Sequence, residues 1–174
     1  MERLDVARKR GVKILAEVVG YGNTSDAFHD TEPSGEGARR AMHIARNRAF
    51  GKNSLGPVYI NPHATATKGD RIEMKVILEE YDDKDRRRIA GISGTKGATG
   101  HMLGATGAIE AIFCVQALMH QIMPPTLRLE YPIDEAQGLN LVPKEAQPAE
   151  IDFTQNNSFG FGGINTVTIY KRAV

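Results

Sequence analysis

Two histidines, a lysine and a set of hydroxyl and glycine residues mark where this chain can do chemistry. The segment Thr95-Lys96-Gly97-Ala98-Thr99-Gly100-His101 sets an amine and an imidazole on a glycine-rich loop, and Met102-Leu103-Gly104-Ala105-Thr106-Gly107-Ala108 follows at once. Glycine costs backbone entropy, so it is used where a chain turns tightly or approaches something closely. A second segment, Asn61-Pro62-His63-Ala64-Thr65-Ala66-Thr67-Lys68-Gly69-Asp70, puts an imidazole just past the apolar run Val58-Tyr59-Ile60, with hydroxyls at Thr65 and Thr67 and an acid at Glu73. A third, Asn156-Asn157-Ser158-Phe159-Gly160-Phe161-Gly162-Gly163-Ile164-Asn165, alternates glycine with phenylalanine and reads as a loop with accessible amide N–H groups beside an aromatic wall. Alone, each reads equally well as a surface turn or a packed hairpin. Three of them, each at the edge of an expected strand, read as one site.

The elements that would position them alternate along the chain. Residues 2–10 read as a helix rich in Lys and Arg, closed by Gly11. A strand is expected over Val12–Val19, then a long irregular stretch over Gly20–Glu36. Gly37–Phe50 is an amphipathic helix with Ala38, Ala41, Met42, Ala45 and Ala49 on one face. Its Arg39, Arg40, Arg46 and Arg48 form a basic outer face, read as a solvated surface or as a docking patch for an acidic partner. A strand over 57–60 leads into the His63 loop, a helix over Gly69–Tyr81 follows, and Asp82–Arg88 is a charged turn. The strand Ile89–Ser93 leads to Lys96 and His101, and a helix over Gly104–Met119 begins with residues small enough for close packing. Leu139–Val142 is a candidate short strand, and Asp152–Gln155 and Thr166–Lys171 are antiparallel strands around the Gly/Phe loop. This order indicates a layered α/β domain with a mixed sheet.

Composition narrows the function. The 174 residues carry a net charge of +1 with histidines neutral, so nucleic acid is not the expected partner. The single cysteine leaves no disulfide framework and suits a reducing compartment, cytoplasm or organelle matrix. No run approaches the ~20 apolar residues of a membrane span, so no membrane is expected. Met1-Glu2-Arg3-Leu4-Asp5 reads as neither a signal nor a transit peptide.

Taken together, the three segments resemble the C-terminal half of a β-ketoacyl-acyl-carrier-protein synthase, the condensing enzyme of fatty acid synthesis, of the long-chain elongating type. The family pattern Asn-Ala-His-Gly-Thr-Ser-Thr is met by Asn61–Thr67. The pattern Ser-Thr-Lys-x-x-x-Gly-His-x-x-Gly-Ala-x-Gly is met by Gly94–Gly107, and Asn-Ser-Phe-Gly-Phe-Gly-Gly-x-Asn by Asn157–Asn165. Gly20-Tyr21-Gly22, Ser25-Asp26-Ala27 and Gly35-Glu36-Gly37-Ala38 also fit in order. Pro62, Ala66, Gly94 and Ile164 depart from the pattern, and Pro62 fixes φ and removes an N–H next to His63.

The resemblance implies a thiolase-like fold, with residues 1–33 as the end of the N-terminal half and 34–174 as the C-terminal domain. It implies an acyltransferase that decarboxylates malonyl-carrier protein and condenses it with an acyl-enzyme thioester. His63 and His101 would be the two donors to the thioester oxygen. Lys96 would hold His101, tune imidazole protonation or attract the malonyl carboxylate, and Glu73 would anchor Lys96 and a water network. Thr65 and Thr67 would hold the pantetheine arm. Within Phe159-Gly160-Phe161-Gly162, the Phe161 amide would serve a second oxyanion and its ring would act as a gate. No metal and no tightly bound cofactor are implied, because the substrates ride on the phosphopantetheine of acyl-carrier protein. The family's nucleophilic cysteine lies in the N-terminal half. Cys114 instead sits in the apolar helical run Ile109–Leu118 and is expected to pack as a small hydrophobe. Met1 falling within a helix of that other half suggests a severed chain. Its partner would be a complementary half, or a second copy covering the same apolar face. The alternative is a non-catalytic fragment or scaffold that binds acyl-carrier protein or a larger assembly.

Overall fold

Strand β2 (Val58–Asn61) is buried on both faces, which is why it reads as an unbroken apolar run. Val58 and Ile60 enter one core and Tyr59 the other. The computed structural model describes residues 1–29, 32–51 and 56–173. In it β2 lies in a five-stranded mixed sheet with β1 (Ala16–Ser25), β3 (Ile89–Ile92), β6 (Phe153–Gly160) and β7 (Ile164–Arg172), in the order β1-β7-β6-β2-β3. β2 runs parallel to both β3 and β6, whereas β7 is antiparallel to β6 and β1. A two-stranded ladder, β4 (Ile122–Met123) with β5 (Gln147–Pro148), stands apart.

Helices α2 (Glu36–Phe50) and α3 (Gly69–Glu80) cover one face, where Ala41, Met42, Ala45 and Ile77 meet Ile60, Val167 and Ile169. Helix α6 (Thr106–His120) covers the other, where Cys114, Ala117 and Leu118 meet Tyr59 and Tyr170. The small residues of α2 and β1 interlock. A Cβ on Gly20 or Gly22 would run into the backbone of Ala45 or Ala41, so both glycines set how closely helix and strand approach. The far side of α6 stays uncovered, with Ile112 about half exposed. The remaining helices are short: α1 (Leu4–Arg10, closed by left-handed Gly11), α4 (Asp83–Arg86) and α5 (Lys96–Thr99).

Several expectations shift. The first strand starts later than Val12 and runs on to Ser25, because Gly20–Ser25 keeps pairing with β7 through residues that carry little hydrophobic alternation. Residues 30 and 31 of the expected irregular stretch lie outside the described residues. Leu139–Val142 forms no strand, although Asn140 O and Val142 O accept from Ile92 N and Thr126 N, each at 2.8 Å. Asp83–Arg86 is a helical turn, capped by the Asp82 side chain. The basic face of α2 is largely engaged: Arg39 bonds Glu36, Arg40 and Arg48 bond the carbonyls of Ser25 and Tyr21, and Arg46 bonds Asp85 and lies over the Tyr81 ring. Contrary to the apolar-run count, Leu103–His120 is long and apolar enough to cross a membrane by length and composition, although one face of its helical part packs on the sheet.

Candidate active site

Because β2, β3 and β6 are parallel, their C-terminal ends open on one edge of the sheet, the place where ligands bind in open α/β sheets. His63 follows β2, Lys96 and His101 follow β3, and Phe159 lies at the end of β6. The His63 and His101 rings come together with centroids 5.5 Å apart and planes at 80°. Both line a cavity of about 350 Å³ together with Gly104, Ser158 and Phe159.

Each ring's tautomer follows from its donors. The Phe159 amide donates to His63 Nδ1 at 3.3 Å, and the Leu103 amide donates to His101 Nδ1 at 3.1 Å. An amide N–H can only donate, so both Nδ1 atoms are unprotonated acceptors and both rings carry their proton on Nε2. Thr106 Oγ1, 3.1 Å from His101 Nδ1, completes that seat. Burial, then Lys96, then His101 push the His63 pKa down to about 3, so at neutral pH this ring is an uncharged Nε2–H donor.

The His63 loop is held from below by two carboxylates of α3. Glu73 accepts from His63 N (2.8 Å), Ala64 N (3.0 Å) and Asn157 Nδ2 (2.9 Å). Asp70 accepts from Thr65 N and Ala66 N, each at 3.0 Å. These bonds hold Ala64 and Ala66 at φ 31° and 59°, in the left-handed region that non-glycine residues avoid. Thr65 and Thr67 face the same way, with hydroxyls 3.1 Å apart.

Lys96 is not on an open loop. It begins α5, is buried, and its Nζ donates to Glu110 Oε1 at 2.5 Å. Its partner is therefore Glu110 and not Glu73, which is committed to the His63 loop. Burial raises the Glu110 carboxyl, and Lys96 pulls it back. Glu110 is the partner of Lys96 that no sequence motif points to; its one signal in the sequence is a lone acid inside the apolar run Ile109–Leu118. In the sequence Thr106, Asn157 and Asp70 stand out only as members of the three segments.

The Gly/Phe segment is mostly strand. Asn156–Gly160 belongs to β6, and Phe161–Gly163 form a turn with Gly162 and Gly163 at positive φ. Phe159, 5.6 Å from the His63 ring, walls the cavity, and Gly160 lines it. Phe161 is 76% exposed and Gly162 sits beside it in the turn, so the structure does not bring these two to the histidines. Cys114 is wholly buried and its thiol is pushed up to about 12, chiefly by burial.

Two neutral imidazoles converging on one cavity, with a buried lysine–glutamate pair behind them, make a device for holding negative charge on an oxygen. It is carried by a thiolase-like α/β fold, and a solved ketosynthase/chain length factor for ishigamide superposes with a TM-score of 0.87 at 34% identity, over 99% of this chain and 42% of the other. The pattern of the family described as Beta-ketoacyl synthase, C-terminal domain, matches residues 15–130, and the chain belongs to that family. It is 47% identical to 3-oxoacyl-[acyl-carrier-protein] synthase 2 of Rhizobium meliloti (strain 1021) over 174 residues, which cover 99% of this chain and 40% of that protein. A type II polyketide ketosynthase solved in complex with its acyl-carrier protein matches at 26% identity and a TM-score of 0.83, over 99% of this chain and 42% of the other. The chain thus spans about two-fifths of the length of these relatives.

Proposed function

We propose that this chain supplies the decarboxylation half of a β-ketoacyl-acyl-carrier-protein synthase site, within a complex whose other half supplies the nucleophilic cysteine. One observation carries this: His63 and His101 both line a single cavity, each with its Nδ1 taken by a backbone N–H, which leaves the two Nε2–H groups to donate. A malonyl thioester bound there breaks its bond to the carboxylate, CO2 leaves, and the electron pair passes to the enolate oxygen. Two preorganised donors stabilise that charge, and losing one slows such a step about 10²–10³-fold. The enolate carbon then forms a bond to the acyl carbonyl carbon, and the cysteine sulfur departs with the other electron pair as thiolate. Cys114 cannot be that sulfur, because it is buried with a pKa of about 12. Lys96 keeps the field positive around His63 without a free charge in the cavity, because Glu110 compensates it.

Thr65 and Thr67 hold the pantetheine arm, and no tightly bound cofactor is needed, since acyl-carrier protein brings both acyl groups. The exposed side of α6, which carries Ile112, is where the complementary half packs. Similarity to bacterial synthases supports a cytoplasmic setting. The test mixes the chain with a matching N-terminal half and malonyl-carrier protein and follows CO2 release. His63→Ala and His101→Ala should each slow release about 10²-fold or more. Equal release from wild type and both variants would remove the imidazoles from the mechanism.

A further inference from the structure

A continuous line of buried hydrogen bonds runs from Tyr81, at the C-terminal end of α3, to the His63 loop. At its outer end the Arg46 guanidinium lies 4.0 Å above the centre of the Tyr81 ring and bonds Asp85 at 2.8 Å. The Tyr81 hydroxyl donates to Gln155 Oε1 at 2.7 Å, Gln155 Nε2 donates to Asn157 Oδ1 at 2.9 Å, and Asn157 Nδ2 donates to Glu73 Oε1 at 2.9 Å. Glu73 in turn accepts the backbone N–H groups of His63 and Ala64. Tyr81, Gln155 and Asn157 are completely buried, and Glu73 nearly so. Gln155, Asn157 and Phe159 alternate along β6 and so share the face turned to α3, and the Phe159 amide bonds His63 Nδ1.

The direction of every bond is set. The Glu73 carboxylate only accepts, so Asn157 must donate to it through nitrogen and accept through oxygen. Gln155 must then do the same, which leaves its oxygen for the tyrosine O–H to donate to. Turning Asn157 over would place like groups against each other at two contacts, and turning Gln155 over would set its oxygen against Asn157 Oδ1, so the chain orients the Glu73 carboxylate as well as satisfying it. That carboxylate holds Ala64 at positive φ.

We infer that Tyr81 and Gln155 are positioning residues: acting through Asn157, they orient Glu73 and thereby fix the backbone from which the His63 ring is presented. The catalytic consequence rests on the function proposed above; the structural relay does not.

Hydrogen–deuterium exchange of the backbone amides, read by NMR on the full chain, tests the relay. In Gln155→Leu and in Tyr81→Phe, the His63 and Ala64 amides should exchange about tenfold faster than in wild type, as expected for one loosened buried hydrogen bond. The double variant Tyr81→Phe/Gln155→Leu replaces both polar partners by apolar groups of similar shape, so global stability, read from the slowest amides of β2 and α6, should return toward wild type. Asn157 stays unlocked in it, so residues 63 and 64 should remain fast. A merely structural role predicts that the double variant recovers slow exchange at 63 and 64 along with stability, and that result overturns the inference. So does unchanged exchange at 63 and 64 in all three variants. Failure of the relay is thus seen on the chain alone, whereas failure of the functional reading is seen in CO2 release by His63→Ala and His101→Ala.

Discussion

Replacing Lys96 by methionine leaves the Glu110 carboxylate in the interior without its cation, and the geometry sets how much that costs. The ammonium and carboxylate side chains are 7% and 0% exposed, and they meet at 2.5 Å. Glu110 Oε1 also takes a long bond from Thr95 Oγ1 at 3.4 Å, while Oε2 has no partner among the described residues. A pair this deep repays its desolvation only while both members are present, and breaking it costs about 3–5 kcal/mol. Lys96→Met and Glu110→Leu should each lose about that much in urea unfolding of the full chain. The double variant should come within about 1 kcal/mol of wild type, because an apolar pair of similar volume needs no compensation. The coupling energy of the cycle should therefore be about 5 kcal/mol or more, above the range usual for interacting residues. A second signature follows from pH. Burial already holds the folded Glu110 pKa above its ordinary value of 4.5, and removing Lys96 raises it further. The folded variant then binds a proton over a wider range than the unfolded chain, so its stability declines as pH rises through that range. Lys96→Met should be closer to wild type at pH 5 than at pH 8. Coupling below about 0.5 kcal/mol, the additive limit for independent sites, would mean that the two charges are solvated and the reasoning is wrong.

Three other outcomes follow from the same structure. His63, lowered from 6.5 to about 3, stays neutral in the folded chain while its unfolded counterpart takes up a proton. Its contribution is therefore lost as pH falls through that window, by up to about 1.4 kcal/mol per unit, and the stability difference between wild type and His63→Gln should shrink accordingly; a difference flat from pH 7 to pH 4 refutes it. Cys114, buried with its thiol near 12, should react with iodoacetamide only as fast as the chain unfolds, so labelling that is fast in the native state contradicts the burial. Gly163→Ala forces a side chain into positive φ and against the Ala27 backbone, and should cost about 2 kcal/mol or more in thermal unfolding; a loss below about 0.5 kcal/mol would show that the turn relaxes freely.

The legible part of the site was what lies within single motifs. His63, His101 and their strand ends could be read because strand-then-loop patterns are local, and the Thr65/Thr67 alternation is local too. What could not be read depends on pairing across the fold. Lys96 and Glu110 are fourteen residues apart and meet only because α6, packing on the face of the sheet that carries Tyr59 and Tyr170, brings Glu110 back to α5. Glu73, an ordinary helix acid by its neighbours, is buried because the loop after β2 turns its amides onto it. The extension of β1 to Ser25 is imposed by β7 rather than by its own alternation. Gly160-Phe161-Gly162 suggested a loop aimed at the site, yet β6 carries the motif as far as Gly160 and the turn then leaves Phe161 facing outward.

Nitrogen-15 spectra of the two imidazoles at neutral pH test the central claim most directly. The account predicts that His63 and His101 both carry a single proton on Nε2, with Nδ1 in each showing the shift of a hydrogen-bond acceptor, and that His63 keeps this form on acidification to about pH 4. A proton on Nδ1 of either ring, or a doubly protonated His63 at neutral pH, would leave the cavity without its two donors and contradict it.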